Sequence, residues 1–320
     1  MIKLIRESSQ PLEPLPVHLT AEWEALIPKK GVQVLKGIRS VLFDIYGTLF
    51  ISGAGEISAG ITTEKKSFHI SLAKDSANAE FSETQRNTEN INIKDPLCAF
   101  ASLREEFEDQ CSEMTEYFRS AVKQQHEKAH AEGIVWPEVR VEEIWADYKG
   151  AIPPGWELTQ GMRGQEMALR YELAVNPVFP MPHAKETLRT LAVNGVKLGI
   201  ISNAQFYTPL LFNAFFNASP TELGFDPELL IYSFEENEAK PSPRLFAKAR
   251  ERLAQYTIKP EETLYIGNDM KNDISAAAEE GFITALFAGD RRSLRLREGD
   301  PACAGKKPHF VVNDLQALCT

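Results

Sequence analysis

The sequence predicts a doubly wound α/β protein, with a parallel sheet, helices on both faces, and a helical domain inserted after the first strand. Three observations carry this. From Pro177 onward, short apolar runs alternate with helical patterns, the signature of parallel strands joined by crossover helices. An isolated strand pattern at 41–45 lies far upstream of that stretch. The block between them has helical periodicity. The chain has 320 residues, 43% of them apolar, enough for one large domain or two ordinary ones. We divide it into an N-terminal extension (1–37), a core built from 38–51 and 178–320, and an inserted helical domain (52–177).

The elements follow in order. The extension is proline-rich at first (Pro11, Pro14, Pro16), and "TAEWEALIP" predicts a short helix with Thr20 as its N-cap. "VLFDI" at 41–45 is the first strand. "SGAGEISAG" is a small-residue loop, and 75–95 is polar and low in apolar content. Leu103, Phe107, Cys111, Met114, Phe118 and Val122 recur at steps of three or four and predict a long helix stopped by Gly133. Pro137 opens "PEVRVEEIWADY" as another helix, and "QGMRGQEMALRYELAV" is a third. Then come the helix "HAKETLRTLAVNG", the strand "VKLGIIS", the helix "TPLLFNAFF", the strand "LLIYSF" and the helix "PSPRLFAKARERLAQY". The strand "TLYIGND", the helix "NDISAAAEEG", the strand "ITALFAG" and the terminal "HFVVNDLQAL" complete the pattern.

The net charge of −10 disfavours a nucleic-acid or anionic-membrane partner. Cys98, Cys111, Cys303 and Cys319 show neither C-x-x-C pairing nor ligand spacing, so a disulfide framework or zinc site is not expected. The N-terminus lacks the apolar run of a signal peptide, and no segment has the roughly 18 apolar residues of a membrane span. The expected location is the cytoplasm.

In such sheets, active sites form at the carboxyl ends of the strands. Polar groups stand at several of those ends here. The first strand ends in Asp44, "LGIIS" in Ser202-Asn203, and "TLYIG" in Asn268-Asp269, with Asp273 in the next helical turn. Lys240 precedes Pro241 after "LLIYSF". Singly, each is an ordinary cap, turn or surface residue; jointly they are a constellation. Three carboxylates at one sheet edge repel unless a cation joins them, and oxygen donors suit Mg²⁺. A lysine and a hydroxyl facing them can hold a dianionic phosphate. Asp44 is then the candidate nucleophile.

This order of motifs resembles the haloacid dehalogenase-like superfamily. "FDIYGTLF" is similar to its D-x-D-G-T motif, "IISN" to the second motif, "AKPSP" to the third and "GNDMKND" to the fourth. The resemblance implies a Rossmann-like core with a cap domain at the insertion. It implies an aspartyl-phosphate intermediate on Asp44 and Mg²⁺ held by Asp44, the carbonyl of Tyr46, Asp269 and Asp273; the fourth motif varies in register, so Asn268, Asp269 and Asp273 are alternatives for direct contact, and Asp273 has the further option of orienting the metal's waters or Lys240. It places Ser202, Asn203 and Lys240 around the phosphoryl oxygens of a small phosphorylated substrate.

Tyr46 departs from the phosphatase pattern, which has an acid two residues after the nucleophile. A phenol titrating near 10 is a poor base at neutral pH. That suits a slow phosphatase, a good leaving group such as an aryl or acyl phosphate, or a proton donor supplied by the cap. D-x-Y-G-T also resembles the 2-haloacid dehalogenases, in which Asp44 would attack carbon without metal. Against this, Asp269 adds a charge that needs a cation, and the first arginine after Asp44 is as distant as Arg86. A third reading is a weakly active relative that binds a phosphorylated ligand or a protein partner. Trp136, Trp145 and Trp156 are expected in the core of the insertion, and Arg291, Arg292, Arg295 and Arg297 in a solvated loop. His183 is read as structural, while Arg163 and Arg170 are candidates for meeting an anionic substrate.

Overall fold

The computed structural model describes residues 1–29, 36–54, 96–153 and 155–319, with main chain only for 96–111. The small-residue loop beyond residue 54 and the polar segment 75–95 lie outside the described residues, as do the side chains of Leu103, Phe107 and Cys111.

Six parallel strands form the central sheet: β1 (Ser40–Phe43), β4 (Lys197–Ser202), β5 (Phe225–Tyr232), β6 (Thr263–Gly267), β7 (Ile283–Phe287) and β8 (Phe310–Val312). Their order is β5-β4-β1-β6-β7-β8. Every residue of β1 is buried, as expected of a strand covered on both faces. Its alternation decides what covers it. Val41 and Phe43 join an apolar cluster with α6 (Ala184–Val193) and α7 (Thr208–Phe216). Leu42 joins another with α9 (Pro243–Gln255) and α10 (Ala276–Glu279). The chain winds from β1 out to β4 and β5, then returns to β6 on the other side of β1. That reversal opens a crevice at the carboxyl end of β1.

An antiparallel ribbon, β2 (Phe50–Ser52) with β3 (Val178–Pro180), stands where the chain leaves the sheet and returns. Between them lie α3 (Pro96–Ala131), α4 (Val141–Ala146) and α5 (Arg163–Val175). They share an aromatic core. Trp145 stacks on Phe118 with ring centroids 5.5 Å apart, and Tyr171 lies 4.8 Å from Trp145. Trp156 is half-buried against the same cluster, but Trp136, expected in that core, is exposed.

The helix expected to open at Pro137 begins only at Val141. Residues 136–139 are instead drawn into pairing with the segment before Lys240. Ala239 N donates to the Trp136 carbonyl (2.8 Å), and Glu138 N to that of Asn237 (3.2 Å). Tertiary hydrogen bonds here outweigh local propensity.

The extension begins with α1 (Ile2–Ser8), which the proline-rich sequence did not suggest. Ile5 is fully buried, and Arg6 Nε donates to the Ala214 carbonyl at the end of α7 (2.8 Å). The expected helix after Thr20 is α2 (Ala21–Glu24). Val17, Leu19, Trp23, Leu26 and Ile27 pack on a cluster that includes Met270, Ile274 and Leu286. Among the described residues no helix is long and apolar enough to cross a membrane.

Candidate active site

Asp44 follows the last residue of β1, and its main-chain N–H donates to the Ile266 carbonyl (2.9 Å), extending the pairing with β6. Its carboxylate is buried and receives two hydrogen bonds, both on Oδ1. One comes from Ser202 Oγ at the end of β4 (2.8 Å), the other from Lys240 Nζ (2.6 Å). The same ammonium lies 2.6 Å from Asp273 Oδ1. Lys240 is itself placed by its main-chain N–H, which donates to Asn203 Oδ1 (2.7 Å). Five of the expected residues therefore converge, Asn203 among them through its side-chain oxygen on the lysine backbone.

Burial opposes the charge on Lys240, but the charges of Asp273 and Asp44 outweigh it and hold its pKa above the ordinary value. Burial pushes the Asp273 carboxyl upward against the pull of Lys240. A residue that the sequence did not single out completes the group. Tyr265, buried on β6, donates to the Ile201 carbonyl (3.0 Å), and its hydroxyl lies 3.0 Å from Asp273 Oδ1 and 3.2 Å from Lys240 Nζ. In sequence it reads as one more apolar position of a buried strand.

Asp269 joins this group through its main chain, whose N–H donates to Asp273 Oδ2 (2.9 Å), but its carboxylate turns elsewhere. Its Oδ1 accepts from the main-chain N–H of Lys271 (2.8 Å) and Asn272 (3.1 Å), capping the π-helical turn Met270–Ser275. Arg297 Nε lies 3.1 Å from each of its oxygens. The arginine loop expected to be solvated thus supplies Asp269 with a cation from within the chain. It is Asn268 that faces the turn after β1. Thr48 Oγ1 donates to Asn268 Oδ1 (3.2 Å), and Asn268 Nδ2 donates to the Ser293 carbonyl (2.7 Å). Gly47 makes room for this, with φ +84°; a Cβ there would lie 2.4 Å from Ser293 Cβ and 2.8 Å from Asn268 Nδ2.

Tyr46 is buried, and its hydroxyl is 3.0 Å from Thr208 Oγ1. Burial, and then the charge of Glu172, keep its pKa well above 10, so the phenol stays protonated. Arg163 and Arg170 donate to the carbonyls of Tyr148 and Glu157 in the inserted region (both 3.2 Å), and His183 pairs with Asp314 (2.9 Å). None of these three contacts involves the Asp44 group.

The profile of the haloacid dehalogenase-like hydrolase family matches residues 38–281. The chain belongs to that family. Among curated proteins, the hydrolase is 37% identical over 90 residues to the Rhythmically expressed gene 2 protein of Drosophila melanogaster, covering 28% of this chain and 32% of that one. It is 29% identical over 145 residues to the glyceraldehyde 3-phosphate phosphatase of Methanocaldococcus jannaschii (43% and 54%). To the phosphoglycolate phosphatase of Escherichia coli K12 it is 30% identical over 112 residues (34% and 40%). The matched stretches thus span between about a third and about half of these relatives. Among solved structures, the HAD phosphatase from Thermococcus onnurineus aligns over 88% of this hydrolase and 96% of its own chain, at 18% identity and a TM-score of 0.44.

Phosphatases of this family generally depend on Mg²⁺. The donors present fit such an ion in a reduced form. The Asp44 carboxylate, the Tyr46 carbonyl and the Asn268 amide oxygen are hard oxygens, but only the first carries charge. Mg²⁺ is often bound by one or two carboxylates completed by substrate phosphate and water. Among the described residues no three His, Cys, Asp or Glu side chains group so as to hold a metal.

Proposed function

We propose that this hydrolase releases phosphate from a small phosphorylated molecule through an aspartyl-phosphate on Asp44, with residues 52–177 acting as a cap over the site. The observation that carries this is the orientation of Asp44. Ser202 and Lys240 both bind Oδ1, which leaves Oδ2 to attack. The phosphoryl group is transferred to Asp44, and water then cleaves the acyl phosphate. Lys240 neutralises charge on the phosphoryl oxygens as it moves from Asp44 toward substrate, while Asp273 and Tyr265 keep it in place. Ser202 Oγ and main-chain N–H groups of the loop after β4 supply further donors. Asp44, the Tyr46 carbonyl and Asn268 would hold Mg²⁺, whose charge would stabilise the transferring group.

The protonated, buried Tyr46 favours good leaving groups, aryl and acyl phosphates above alkyl. The test is a panel of the three classes assayed with and without Mg²⁺, beside halide release from 2-chloropropionate. Phosphate release that disappears in Asp44→Asn supports the reading; full activity in that variant sinks it. A second reading, metal-free displacement at carbon, gains from one observation. The charge of Asp269, which argued against it, is met by Arg297. Halide release unaffected by EDTA would establish that reading instead.

A further inference from the structure

The loop after β4, which carries Asn203 just beyond Ser202, is held on its far side by the insertion. Ala204 N donates to the Oγ of Ser233, the residue after β5 (2.8 Å). Ser233 Oγ in turn donates to Glu138 Oε2 (2.6 Å). The side chain of Gln205 reaches the same carboxylate. Its Nε2 donates to Glu138 Oε1 (3.2 Å) and to the Val139 carbonyl (3.0 Å), and its Oε1 accepts from Val141 N (3.3 Å). Ala204, Gln205 and Ser233 are all buried. One carboxylate of the insertion therefore ties down two adjacent residues of the loop, directly after the two that meet Asp44 and Lys240. Residues 203–205 belong to no helix or strand, so these bonds set their path.

The segment that carries Glu138 also holds the loop of Lys240. Its main-chain pairing with 237–239 ends one residue before the lysine, where Ala239 N donates to the Trp136 carbonyl (2.8 Å). Lys240 N closes the triangle by donating to Asn203 Oδ1 (2.7 Å). The two loops that bring Ser202 and Lys240 to one oxygen of Asp44 thus share a fastening, and it lies in the insertion. A carboxylate costs free energy to desolvate at such a seam and needs hydrogen bonds to remain there.

Resting on the phosphatase reading, we infer that Glu138 is a positioning residue for phosphoryl binding: through Ser233 and Gln205 it sets the path of the loop whose Ser202 and Asn203 face the transferring group. It touches neither substrate nor nucleophile. What it controls is the placing of donors, and a displacement of about 1 Å can cost about 10²-fold in rate. The insertion then has a task besides covering the site, because the core's phosphoryl-binding loops are complete only with it docked.

The experiment compares Glu138→Ala and Glu138→Gln with wild type. It reads kcat and KM for an aryl phosphate, the inhibition constant of inorganic phosphate, and stability in urea. Alanine removes the anchor. Glutamine can rebuild it: its amide oxygen accepts from Gln205 and Val139 N, and its Nε2 donates to Ser233 Oγ, whose hydrogen turns to the Ala204 carbonyl, 3.2 Å away. For alanine, KM and the phosphate inhibition constant should rise together, and kcat/KM should fall by about 10–10². Glutamine should recover most of that loss. In a cycle with Ser233→Ala, the double variant should lose little more kcat/KM than Glu138→Ala alone, because both cut one chain of contacts. A variant that is less stable yet keeps the wild-type KM and phosphate inhibition overturns the inference, since that is the mark of a structural seam. So do multiplied losses in the double variant, or an alanine variant indistinguishable from the glutamine one. Should Glu138→Ala not fold, Glu138→Asp, which keeps the charge and withdraws it by one methylene, carries the same comparison. Wild-type turnover separates the two levels of failure. If the aryl phosphate is hydrolysed while the variants leave KM and phosphate inhibition unchanged, only Glu138 is misassigned. If wild type releases phosphate from no ester, the phosphatase reading falls and takes this inference with it.

Discussion

The guanidinium of Arg297 grips both carboxylate oxygens of Asp269, 28 residues upstream. The pair is partly buried, and the same carboxylate caps the π-helical turn that carries Asp273. Removing the cation leaves a charge without its partner, so Arg297→Ala should lower stability by about 1–3 kcal/mol. Asp269→Asn in the same background should cost less than it does alone, since the charge it removes is already orphaned. Urea melts of the two single variants and the double variant test this. Strict additivity would show that the pair contributes nothing.

Asn268→Asp should tighten Mg²⁺ binding at least about tenfold, because it adds a full charge to a donor set that has one. Calorimetry with Mg²⁺, or electron paramagnetic resonance with Mn²⁺, reads this without reference to activity. Unchanged affinity would place the ion away from Asn268.

Tyr46→Asp in the otherwise native protein should raise kcat/KM for alkyl phosphates more than for aryl or acyl phosphates. An alkoxide leaves badly unless it is protonated; a phenolate or carboxylate does not need the help. The gain is at most about 10²–10⁴. Equal effects on all classes would mean that Tyr46 is a substrate contact rather than the occupant of an acid position.

Half-buried Glu138 joins the inserted region to the core. Its carboxylate accepts from Ser233 Oγ (2.6 Å), Val139 N (2.9 Å) and Gln205 Nε2 (3.2 Å). Burial outweighs those bonds and pushes its pKa up to about 7. A carboxyl raised in the folded state contributes stability that is complete below its unfolded value and is lost as pH rises through the folded one. The seam should therefore loosen between about pH 4.5 and 7. Amide exchange at 136–139 and 237–239, corrected for intrinsic rates, should show less protection at pH 8 than at pH 5. Glu138→Gln should flatten that difference, and a slope that survives the substitution would assign it to another group.

The sheet and its order of elements were legible because each layer carries its own period: continuous apolar runs for covered strands, steps of three or four for helices. The Asp44, Ser202, Lys240 and Asp273 group was legible because strand ends are also where such folds place chemistry. Elsewhere spacing was not enough. Asp269 sits two residues after Gly267, where a metal ligand and a helix cap look alike in sequence. Its extended φ −119°, ψ 120° and the N–H groups beyond it show the capping role, which the sequence did not separate from the other. Tyr265 and Arg297 were missed because each acts on a partner brought close only by the fold. The ribbon β2–β3 and the extended 136–139 segment are likewise products of tertiary pairing, which leaves little periodic trace in so few residues.

The first thirty residues fasten the far end of the chain. Leu15 N donates to Asp290 Oδ1 (3.1 Å) across 275 positions, Arg291 N donates to the Leu15 carbonyl (3.1 Å), and Val311 N to that of Leu26 (3.0 Å). The loop so held delivers Ser293 to Asn268 and Arg297 to Asp269. During synthesis, at about 5–20 residues per second, the extension leaves the ribosome well before the residues it docks on. Its apolar side chains must wait, undocked, until those residues follow, and closing so long a loop carries an entropic cost. The Asn268 side of the site is thus expected to mature last, after the central strands have already brought Asp44 and Ser202 together.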